Sequence, residues 1–171
     1  MKKPPQPAGN LPLYLEVLPL RTPAEAGGLS RAANRRRGFG IAVTLDDSMK
    51  PKYRVFKEPD WQELVTLTES RPLIVGYNCR AFDLEILRGQ GRVRPRKICD
   101  LMEAYEENRG RRVNINTAME RTIGFSRPVS AQDEFEWLRN GEEKRVVYWL
   151  KRRLSAMRQL HEFMIANGWK L

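Results

Sequence analysis

The chain has 171 residues, 41% of them hydrophobic, which suits one domain with a real core and excludes wholesale disorder. Its 31 Lys and Arg outnumber 21 Asp and Glu, and the net charge of +10 suits a polyanionic partner, nucleic acid or an acidic membrane surface, as well as a merely soluble basic protein. Two cysteines, one histidine and no apolar run near the ~20 residues of a membrane span exclude a disulfide framework, a zinc knuckle, a His-rich metal site and a transmembrane segment, and point to a reducing, cytoplasmic setting.

Residues 1–10 begin with Lys2 and Lys3 but continue into Pro4, Pro5 and Pro7, so they read as a flexible lead, not a signal peptide, before a domain at 11–171. Residues 11–20 alternate as a first strand, with Leu13, Leu15 and Val17 on one face and Tyr14, Glu16 and Leu18 on the other. Residues 21–37 read as a polar connection ending in Arg35, Arg36 and Arg37. Two β-rich runs, 38–46 and 52–57, flank a turn and predict a hairpin. A helix follows at 59–70, a short buried strand at 72–77, a helix at 81–88 and a strand at 97–99. The rest is helical: 101–108, 116–123, 131–139 and a long last helix at 142–166. Its apolar stripe is Val146, Leu150, Leu154, Met157, His161 and Met164. This order predicts an α/β domain, a mixed sheet with helices packed on it.

Four segments, taken in order, carry a resemblance. The clearest is IVGYNCRAFDLEIL at 74–87, with Gly76, Tyr77, Asn78, Phe82 and Asp83. The others are Glu25–Gly28 after the first strand, ICDLM at 98–102 around Asp100, and VNINTAMERTIG at 113–124. Together they resemble the ribonuclease H-like domain of predicted bacterial 3′–5′ exonucleases of the DEDD superfamily, over nearly the whole chain after residue 11. The resemblance implies a ribonuclease H-like mixed sheet with a long C-terminal helix. It also implies a site of four carboxylates holding two Mg²⁺ or Mn²⁺ ions ~3.5–4 Å apart.

Three of the positions that the resemblance makes functional, Leu18, Trp149 and Arg153, lack the expected residue type, and Glu16 is a longer carboxylate than the expected Asp. The Asp-x-Glu of the first strand falls on Glu16 and Leu18. The Tyr-x-x-x-Asp of the last helix falls on Trp149 and Arg153. Asp83 alone matches its motif. Two carboxylates beside an arginine cannot hold two divalent ions tightly. The expectation is a relict site of Glu16, Asp83, Arg153, Trp149 and Leu18. The Arg153 guanidinium would lie where a metal would lie, paired with Asp83 or Glu16. No cofactor is expected; if the protein is active, Glu16 and Asp83 bind Mg²⁺ or Mn²⁺.

Asp83 also suits a helix N-terminus, Asn78 a helix brace, and His161 a satisfied core position. Arg35, Arg36, Arg37, Asn78, Arg80 and Lys151 are the candidate nucleic-acid contacts, to DNA or RNA, without a membrane. The leading reading is a catalytically inactive nucleic-acid-binding domain. One rival is an active exonuclease that recruits Asp46, Asp47 or Asp100. The other is a protein-interaction module of a replication, repair or defence complex.

Overall fold

The computed structural model describes residues 11–126 and 128–171, so the lead at 1–10 lies outside the described residues. β1 (Leu13–Pro19), β2 (Phe39–Leu45) and β3 (Tyr53–Lys57) form an antiparallel meander, and β4 (Ile74–Gly76) and β5 (Ile98–Asp100) add in parallel beyond β1. The strand order is therefore β3-β2-β1-β4-β5, with β1 central and β3 at an edge.

Because β1 is covered on both faces, its alternation sorts side chains between two cores. Leu13, Leu15 and Val17 pack with Phe39, Phe56 and the apolar stripes of α3 (Trp61–Ser70) and α4 (Asp83–Arg88). Tyr14 and Leu18 face the other core, built by α5 (Leu101–Arg109), α6 (Ile115–Ile123), α7 (Ala131–Arg139) and α8 (Glu143–Ala166). In α8 the whole stripe from Val146 to Met164 is buried. Its His161 meets the Tyr14 hydroxyl at 2.9 Å through Nδ1, and burial lowers its pKa, so it is a neutral core histidine.

The segment 21–37 is not a plain connection. It folds into two short helices, α1 (Pro23–Ala26) and α2 (Arg31–Arg36). Thr22 and Glu25 form a reciprocal capping box on α1, and the Ser30 hydroxyl accepts the Ala33 N–H at 3.1 Å on α2. The buried Asn34 then donates to the Ala81 carbonyl at 2.7 Å, which fixes α2 beside the start of α4.

Candidate functional site

The site forms where the central strand meets three helix elements. Glu16 projects from β1 toward α8 and is only 9% exposed, with Leu18 buried beside it. Arg153 enters from α8. It stands about 60° around the helix from Leu150, at the border of the buried stripe. One of its terminal nitrogens bonds Glu16, and the other donates to both oxygens of Glu134 on α7 at 3.2 Å.

Asp83 reaches the site from the first turn of α4. Its Oδ1 accepts the Val17 N–H at 2.7 Å, which ties α4 to the central strand. The turn that delivers it is tightly specified. A Cβ on Gly76 would stand 2.5 Å from that of Cys79, and Asn78 is left-handed at φ 58°. Asp100 holds this turn by accepting the N–H groups of Asn78 at 2.8 Å and Arg80 at 3.0 Å, and it caps α5 by accepting that of Met102 at 3.1 Å. Asn78 thus braces the turn through its backbone while its side chain lines the cleft.

These groups line a cleft of about 580 Å³ whose walls are largely apolar, with Tyr77, Phe82, Met102, Ile115 and Phe135 among them. Arg37 is a second cleft cation. It is 3% exposed, donates to the Arg21 carbonyl at 2.8 Å, and lies over the rings of Phe82 and Phe135 at 4.9 and 5.5 Å. Burial lowers its pKa, but a guanidinium remains charged.

Burial raises the pKa values of all three acids. Asp83 goes well above its ordinary value through desolvation and the nearby Glu16 charge. Glu134 is pushed up to about 9 by the same two causes, and Glu16 rises despite its bond to Arg153. Glu134 therefore keeps its proton near neutral pH.

A two-ion centre does not fit this donor set. Leu18 offers no oxygen, and the Arg153 cation already lies between Glu16 and Glu134. Among the described residues, no three or more His, Cys, Asp or Glu side chains are grouped so as to hold a metal ion. The acids that could have substituted are committed elsewhere. Asp46 pairs with Arg71 at 2.6 Å, Asp47 with Arg158 and Lys52 at 2.9 Å, and Asp100 holds the Asn78 turn.

Of the residues singled out from sequence, Glu16, Leu18, Arg37, Asn78, Asp83 and Arg153 line one cleft. Trp149 does not. It stands about 100° from Leu150 and a full turn before Arg153, and its ring packs against Tyr148 instead. Arg35 pairs with Glu85 at 2.5 Å, and Arg36 donates to the Ala26 carbonyl at 3.0 Å. Arg80 pairs with Glu103 at 3.0 Å beside a separate depression, and Lys151 lines a groove at the β3 edge. The six candidate nucleic-acid contacts therefore do not share one surface. Sequence reasoning missed Glu134. Its available signal was the Ser130–Asp133 capping box, which fixes the start of α7 and sets Glu134 beside the inward Phe135.

No family model matches the chain, and no curated protein matches it. In structure it is similar to a crystal structure of RNase D from Trypanosoma brucei, with a TM-score of 0.57 and 20% identity, covering 78% of this chain and 47% of that one. The chain thus spans about half the length of the structure it matches. No helix among the described residues is long and apolar enough to cross a membrane. The likeness is one of fold, and the chain has the α/β ribonuclease H-like architecture, a mixed five-stranded sheet flanked by helices with a long helix at its C-terminal end.

Proposed function

We propose that this is a nucleic-acid-binding domain built on a 3′–5′ exonuclease scaffold, in which Arg153 stands in for the catalytic metal ions and hydrolysis is lost. The observation that carries the reading is the bonding of one buried guanidinium to both Glu16 and Glu134. A fixed cation can neutralise carboxylates, but it cannot bind and ionise a water as a divalent ion does. The net charge of +10 and the RNase D-like fold support nucleic acid as the partner, whether DNA or RNA.

The test is a labelled oligonucleotide incubated with the protein in Mn²⁺ or in EDTA, with retention and cleavage read together. The expected result is retention that ignores EDTA and falls steeply with salt, with no loss of 3′ nucleotides. Mn²⁺-dependent cleavage that disappears in Asp83→Ala would overturn the reading.

A further inference from the structure

The first turns of α8 carry a surface that the cleft does not use. At about 100° per residue, Lys144, Tyr148, Lys151 and Ser155 fall within one stripe about 60° wide, with Arg152 and Trp149 alongside. Tyr148 is 52% exposed although it is a large aromatic. Its ring meets that of Trp149 edge to face, with centroids 5.4 Å apart and planes at 80°. The Arg152 guanidinium lies 5.8 and 5.5 Å from the two rings and donates to the Tyr148 hydroxyl at 3.0 Å. Lys151 lies 5.7 Å from the ring of Tyr53 on the edge strand. Between the helix and that strand runs a groove of about 370 Å³, floored by Ile41, Val55 and Val147.

The charges here differ from those around them. Lys57 is paired with Glu143 at 2.5 Å and Arg145 with Glu142 at 3.2 Å. Among the described residues, no carboxylate forms an ion pair with Lys144, Lys151 or Arg152. Three cations without acidic partners among the described residues thus share one face of α8 with an exposed aromatic ring, and one of them bonds its hydroxyl. That combination suits a strand of phosphates with unpaired bases, because an exposed ring can stack on a base that a duplex would keep enclosed.

We propose that this face of α8 is a binding site for single-stranded nucleic acid, with a base stacked on Tyr148 and phosphates on Lys144, Lys151 and Arg152. The inference rests on the nucleic-acid reading above but puts the strand outside the cleft.

The test uses the full chain in EDTA and the fluorescence anisotropy of labelled 20-mers, single-stranded and duplex. Thermal melts confirm that each variant folds. Tyr148→Ala should weaken single-strand binding by roughly 5- to 150-fold, the effect of one lost stack, while Tyr148→Phe keeps most of it. Lys144→Gln combined with Lys151→Gln should reduce the slope of log affinity against log salt by about 1.4. If the wild type binds and all three variants bind equally well, the site is wrong and the broader reading stands. Equal affinity for the duplex also overturns it, because stacking then contributes nothing. If the wild type binds neither oligonucleotide at low salt, both readings fall. A wild type that instead binds a labelled peptide of alternating Val and Glu, and loses it in Tyr148→Ala, assigns the groove to a strand added at the β3 edge.

Discussion

Arg152 and Arg153 are neighbours in one helix and live in opposite environments. Arg153 is 7% exposed and bonded to two buried carboxylates; Arg152 is exposed and lies over two aromatic rings. A single helical step of about 100° separates a desolvated charge from a solvated one. The inner arginine is fixed by its bonds to Glu16 and Glu134, which a buried guanidinium needs in place of water. The outer one pairs with no acid among the described residues, which leaves it open to a partner outside the chain.

The largest way to break this contrast is to remove each arginine in turn. Arg153→Ala removes the buried guanidinium bonded to Glu16 and Glu134 and should cost about 3–5 kcal/mol. For a chain of this size that lowers the melting temperature by roughly 6–20 °C. The loss should be larger at pH 8 than at pH 5, because Glu16, deprived of its guanidinium, takes up a proton more readily at the lower pH. Equal melting of the Arg153→Ala and Arg152→Ala variants would show that the buried triad is not the structural centre of the cleft.

The pH dependence sharpens the same point. A carboxylic acid whose pKa is higher in the folded chain binds more protons in the native state between its unfolded and folded values. Stability therefore falls as pH rises through that window. For Glu134 the window runs from the ordinary 4.5 to about 9, and Asp83 and Glu16 shift in the same direction. Glu85 and Asp47 are held below their ordinary values by arginine and lysine partners, so their contribution is lost only as pH falls below about 4. Melting temperature should decline from about pH 5 to about pH 9. Glu134→Gln and Asp83→Asn should each flatten that decline, because each substitutes a neutral group for an acid that the fold already holds neutral. Asp83→Asn keeps an oxygen for the Val17 N–H. A wild type whose stability rises across this range would refute the crowded-carboxylate description.

Much of this was legible in the sequence, and the reason is local periodicity. The alternation of β1 placed Glu16 and Leu18 on one face, which the structure turns toward α8, and the hairpin signals gave the meander. The stripe of α8 put Arg153 at its buried border. What failed was whatever depended on distant packing. Glu134 follows Asp133 in the first turn of an acidic helix, where a carboxylate ordinarily complements the dipole in solvent. Only the docking of α7 on α8 buries it. The run Arg35–Arg37 looked like one charged cluster, yet the end of α2 sends Arg37 into the cleft and leaves Arg35 on Glu85. The Thr22 and Glu25 capping box was readable and marks a helix that composition alone disguised as a loop.

The smallest effect is the most discriminating. Arg152→Ala removes a cation–π contact and one hydrogen bond at the surface, with no acid left behind, so it should change stability by less than about 1 kcal/mol. Its effect on binding should be disproportionate. The Tyr148 ring loses the group that holds its hydroxyl, and the surface loses a cation that no carboxylate among the described residues pairs with. We expect an unchanged melting temperature together with weaker single-strand binding and a shallower salt dependence, by about 0.7 in slope. A large stability loss would mean that Arg152 is structural after all. Unchanged stability with unchanged binding would mean that a solvated arginine on two rings needs no partner.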